Sequence, residues 1–169
     1  MSEEKEPKAV KQPQRGTSLP KKPLSEYGDL NELRVIRQNA LRLSQTDYAE
    51  KVQQRIWELF GTGSDSLDEA FLRTLATYES LLFDKHQKNV KAQYIRRMLA
   101  KHGTIESLKR AVMSKGKLSS GFITLVQAGH ADLTAESLVI KNADKFEPNV
   151  VQKAKEKIEQ ATLTKQSNS

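Results

Sequence analysis

The chain contains no cysteine, which excludes disulfides, thiolate zinc sites, iron–sulfur clusters and cysteine nucleophiles. Histidine is almost as scarce. His86, His102 and His130 are the only three, and none stands four residues from another or belongs to a His-Glu-x-x-His pair. No metal site and no cofactor are expected. No apolar run approaches the roughly 18 residues that cross a bilayer. The N-terminal MSEEKEPKAVKQPQRG lacks the apolar stretch of a secretory signal. The expectation is a cytoplasmic protein without membrane contact. Aromatics make up 6% and hydrophobic residues 37% of the chain, the latter below the roughly 45–50% usual for globular domains. That shortfall points to a folded core accompanied by an unfolded tail.

Catalytic patterns are missing too. The GTGS stretch at 61–64 lacks the Gly-Lys-Ser/Thr that cradles phosphates, and there is no Gly-x-Ser-x-Gly elbow. Asp84 and His86 are two residues apart, a spacing that does not bring side chains together on a helix. Tyr78 and Glu79 read as members of the polar side of an amphipathic helix. No convergence of polar groups on a pocket is legible, so an enzyme is not expected.

What is present is helical punctuation. Pro7, Pro13, Pro20 and Pro23 crowd the first 23 residues, beside few apolar side chains. Such a segment buries too little surface to offset its ordering entropy. Residues 1–24 are expected to be a disordered basic tail, 25–163 a single all-α domain, and 164–169 a disordered end. Within the domain, Asp29 with Glu32 and Ser66 with Glu69 have capping-box spacing. Gly61, Gly103, Gly116 and Gly129 are placed to end helices, Thr104 to start one, and Pro148 to occupy a first helical position. Apolar spacings of three and four residues predict about eight short helices, over roughly 30–43, 49–60, 67–82, 89–102, 104–115, 121–127, 135–141 and 148–161. Together they make an irregular orthogonal bundle.

Charge is the most informative feature. Net charge is +7, yet residues 84–117 alone carry ten basic and two acidic groups, +8. A concentration of this kind suits a phosphate-rich partner. Candidate contacts to a nucleic-acid backbone are Lys88, Lys91, Arg96, Arg97, Lys101, Lys109, Arg110, Lys115 and Lys117. Tyr94, set among them, either packs in the core or stacks on a base. The alternative is a protein–protein adaptor that uses the Val151–Ala161 seam or the acidic 64–83 helix.

Two stretches bear on DNA reading. LRVIRQNALRLSQTDYAEKV, Leu33–Val52, resembles the opening of a lambda-repressor-like DNA-binding domain, with Leu43, Ser44, Gln45, Tyr48, Ala49 and Val52 at the matching places. The resemblance implies a turn and a recognition helix next. Here QQRIWELFG instead continues the helical pattern to Gly61. The second stretch, YIRRMLAKHGTIESLKRAV at Tyr94–Val112, has the outline of a helix-turn-helix around Gly103, although Thr104 and Glu106 stand where such a unit wants apolar contacts.

Because residues 1–23 hold so little apolar surface, deleting them should leave the melting temperature unchanged in a thermal scan. A loss of several degrees would mean that the tail is docked.

Overall fold

Short polar side chains begin most of the helices, and glycine or a left-handed residue closes several. The computed structural model describes residues 19–61, 66–116 and 118–166, so the expectations for the tail up to residue 18 and for the last three residues lie outside the described residues. Asp29 accepts the Glu32 N–H at 2.8 Å and starts α1, Leu30–Arg42. Ser44, at a positive φ of 58°, turns the chain into α2, Thr46–Leu59. Ser66 accepts the Glu69 N–H at 3.3 Å and opens α3, Leu67–His86, which ends at left-handed Gln87. Next come α4, Gln93–Met113, and α5, Ser120–Gln127, whose cap Ser119 accepts the Phe122 N–H at 3.1 Å. Thr134 caps α6, Ala135–Lys141, and Pro148 begins α7, Pro148–Gln166. Three short 3-10 turns lie at Leu24–Glu26, Ala131–Leu133 and Ala143–Lys145. Among the described residues the fold is all-α, without strand.

Among the described residues seven runs of helix amount to the eight expected, because α4 is two helices that meet at Gly103. Its φ of 73° and ψ of 179° lie in a region essentially reserved for glycine, and the chain resumes its helical path at once. α7 runs three residues past the expected boundary at 163, with no glycine or proline to stop it. Ordered structure also begins earlier than 25. Leu24 packs against the cluster that includes Tyr27, a core residue that the sequence reading passed over, and Arg55 holds this segment by donating to the carbonyls of Ser25 and Tyr27.

Two apolar clusters share α3. In one, Leu67 and Phe71 of α3 meet Leu108 and Val112 of α4, Leu138 and Val139 of α6, and Val150 and Ala154 of α7. In the other, Ala76 of α3 meets Leu33 and Ile36 of α1, Val52 and Ile56 of α2, and Tyr27. The α1–α2 hairpin therefore sits toward the C-terminal half of α3, and the α4–α6–α7 group toward its N-terminal half.

Between these groups lies Glu79, which the sequence reading placed on a polar surface. It is 1% exposed. Its carboxylate accepts Arg96 Nε at 2.6 Å and Nη2 at 2.7 Å, Arg34 Nη2 at 3.3 Å and the Ala92 N–H at 2.9 Å. Four segments of chain thus meet on one side chain: α1, α3, the loop before α4, and α4 itself. Arg34 Nη1 also donates to Asn89 of that loop at 3.1 Å, and Arg37 pairs with Asp84 at 2.6 Å. Burial pushes the Glu79 carboxyl up. The bonds from Arg96 and Ala92 and the two guanidinium charges outweigh it and hold the carboxyl below the ordinary glutamate value of 4.5. Burial in turn lowers the Arg34 guanidinium, while the bond to Glu79 raises that of Arg96.

Glu79→Gln should cost about 3–5 kcal/mol in denaturant unfolding, since removing one member of a buried charge group strands the others. Glu79 is depressed in the folded state, so its contribution is full above the unfolded-state value and lost as pH falls through the folded-state value. The variant should accordingly show a shallower acid limb of stability against pH. Gly103→Ala should cost about 1–3 kcal/mol from backbone conformation alone, because nothing lies within 4 Å of the added methyl.

Candidate nucleic-acid interface

The first half of α4 is built with two faces. Met98 is buried and Ile95 and Leu99 are half-buried, which commits one side to the interior. Tyr94, Arg97 and Lys101 recur at spacings of three and four, so they fall on one stripe of the opposite side. Tyr94 is 73% exposed, and Arg97 and Lys101 are exposed with it. Core packing is thus not the role of Tyr94. Lys91, in the loop that feeds the helix, is also exposed. Neither Lys91 nor Arg97 nor Lys101 has a carboxylate partner among the described residues.

The remaining candidates separate from this stripe. Arg96 is turned inward to Glu79 and lies 5.6 Å from the Phe60 ring centroid, so its guanidinium is already satisfied. In the second half of α4, Lys109 pairs with Glu147 at 3.0 Å and Arg110 with Glu106 at 2.7 Å. The Arg110 bond holds the Glu106 carboxyl below its ordinary value. Both pairs face water, where such contacts are weak and exchangeable. Lys88 is exposed in the loop after α3, and Lys115 is exposed in the turn after α4. Lys117 lies outside the described residues. The +8 segment is therefore not one face. It resolves into a stripe of Tyr94, Arg97 and Lys101 with Lys91 in the loop before it, an inward structural arginine, and outlying or paired charges.

Beside the stripe an open cleft of about 530 Å³ runs between the loop before α4, the end of α4 and the start of α5. Lys91, Tyr94 and Arg110 stand at it, above Tyr78, Leu82, Ile95 and Met98.

The lambda-repressor-like stretch folds differently from what that resemblance implies. α2 continues unbroken through the place where the family turns, as QQRIWELFG indicated, and α3 starts only at Leu67. Arg34 and Arg37 of the same stretch are buried in ion pairs. Around Gly103 two helices meet at a non-helical residue.

The histidines do not converge. His86 is exposed at the end of α3, His102 lies on α4, and His130 follows α5, where burial lowers its pKa. Among the described residues no group of three or more His, Asp or Glu side chains could hold a metal ion, and no helix is long and apolar enough to cross a membrane. No family model, curated protein or solved structure significantly matches the chain. The site is read from its own chemistry.

The sequence reading missed the Glu79 group, although a signal was there. Leu75, Leu82 and Phe83 lie at i−4, i+3 and i+4 from Glu79, which puts the carboxylate on the apolar face. It also missed the buried pair Glu136–Lys157, 3.7 Å apart with both side chains 5% exposed. Burial pushes Glu136 up, and a bond from its own backbone N–H together with Lys157 only partly offsets this.

Arg97→Gln with Lys101→Gln should melt within about 0.5 kcal/mol of the parent, as surface changes do. Arg96→Gln, one residue away, should lose about 1–3 kcal/mol by leaving the Glu79 carboxylate under-bonded.

Proposed function

We propose that this is a non-enzymatic nucleic-acid-binding protein that meets the phosphate backbone through the outer face of α4. One observation carries this reading: Lys91, Arg97 and Lys101 are exposed beside a 73%-exposed tyrosine and form no ion pair among the described residues, Arg97 giving only a 3.4 Å bond to the Gln93 carbonyl. Cations used for stability are bound to carboxylates here, as Arg34, Arg37 and Arg96 are. The stripe is left over for an external anion, and phosphates are the anion that a row of Lys and Arg beside an aromatic ring suits. Contacts of this kind position a strand without reading its sequence. The adaptor reading has less support, because the Val151–Ala161 seam is partly consumed internally, with Ala154 buried and Val151 packed against the same cluster.

Binding of labelled DNA and RNA, followed by anisotropy at several salt concentrations, tests this. Log affinity against log salt should fall with a slope of about −0.7 per single-strand phosphate neutralised, or −0.9 for duplex. Changing Lys91, Arg97 and Lys101 together to glutamine should flatten the slope by about 2 to 3, equally on unrelated sequences. No binding at ~50 mM salt, or an unchanged slope in the triple variant, would overturn the proposal.

A further inference from the structure

We infer that the cleft beside Tyr94 accepts one unstacked base, so that the preferred ligand is a single strand; this rests on the nucleic-acid reading above. At about 530 Å³ the cleft falls within the roughly 300–1,000 Å³ of small-ligand pockets. Its lower wall is apolar and aromatic, formed by Tyr78, Leu82, Ile95 and Met98. Tyr78, Ile95 and Met98 also bound a second apolar hollow, which Phe71 and Phe122 help to line. A base has two apolar faces to bury there. The phosphates attached to it remain outside and anionic, and the cleft carries cations from two separate segments. Lys91 comes from the loop before α4, and Arg110 from the last turns of α4.

Charge complementarity selects the occupant. A purely apolar ligand would leave Lys91 and Arg110 unused, and an inorganic phosphate would leave the aromatic wall unused. A single-stranded nucleic acid uses both. Arg110 can turn to a phosphate because its present partner, Glu106, is a neighbour on the same exposed helix surface. Tyr94, at the cleft and nearly unburied, offers a ring on which the inserted or the adjacent base can stack. A duplex can touch the cationic stripe but must first unpair a base to fill the cleft.

Gly121 supplies a way to plug the cleft without changing charge. It lines both hollows, and a Cβ there meets only the Tyr78 ring at 3.7 Å and 3.9 Å and Ser119 Oγ at 4.0 Å, all ordinary contacts. Its φ is outside the left-handed range. Gly121→Leu and Tyr94→Ala are compared with the parent by anisotropy, using labelled oligothymidylate and a labelled blunt-ended duplex. Circular dichroism melts report whether each variant is folded, with Gly121→Ala as the milder plug. The expected result is single-strand affinity lowered about 5- to 100-fold by each of Gly121→Leu and Tyr94→Ala. Duplex affinity of Gly121→Leu should stay within about two-fold, and Tyr94→Phe should retain binding to both. If folded plug variants bind the single strand like the parent, or lose single strand and duplex equally, the cleft is not a base site. The salt dependence carried by Lys91, Arg97 and Lys101 would survive that outcome. If an acidic peptide displaces the single strand and Gly121→Leu blocks the peptide, the occupant is a peptide and the inference falls. If the parent binds neither nucleic acid, both this inference and the reading beneath it fall.

Discussion

A single buried carboxylate organises this fold. Glu79 sits in the C-terminal half of α3, where the α1–α2 hairpin and the start of α4 converge, and it accepts hydrogen bonds from both. A charge in that position is costly unless every lone pair is used. It is used here by two guanidinium groups and a backbone N–H. The geometry is demanding, because Arg96 must present Nε and Nη2 together as a fork, which fixes the rotation of α4 about its own axis. Hydrophobic burial alone would leave that rotation loosely defined, since the first half of α4 offers only a narrow apolar edge.

The consequence for function follows from one residue of helical offset. Arg96 turned inward forces Arg97 outward, and with it Tyr94 and Lys101, three before and four after. The structural salt bridge and the candidate interface are therefore not independent features. They are two sides of the same turn of helix. Gly103 completes the arrangement by kinking α4, so the second half can bring Leu108 and Val112 into the cluster that Ile95 and Leu99 flank, and Arg110 to the cleft that Lys91 and Tyr94 share.

Local features were legible in the sequence. The caps at Asp29 and Ser66, the start at Pro148 and the span 135–141 follow from short-range hydrogen bonding and spacing, which the chain encodes within a few residues. The break at Gly103 was legible as well, because a helix that must stop and restart within one residue needs a backbone conformation that glycine alone adopts. Tyr27 was passed over because it follows a proline-rich segment whose composition dominates a window. The candidate site was legible only as a charge excess. Whether a basic residue serves the interior or a partner depends on contacts 17 and 45 residues away in sequence, such as Arg96 to Glu79 and Arg34 to Glu79. Composition has no access to these. Tyr94 could be placed among cations from sequence, but its exposure depends on how α4 is rotated, and therefore on Glu79.

The most direct measurement is a residue-resolved footprint. Backbone amide shifts of the isotope-labelled protein are followed by NMR while an unlabelled single-stranded oligonucleotide is added at low salt. The account predicts that the largest changes fall on Lys91, Tyr94, Arg97 and Lys101 and on the cleft wall around Gly121, with Leu33–Val52 unmoved. Changes centred on α1 and α2, or spread evenly over lysines across the surface, would contradict it.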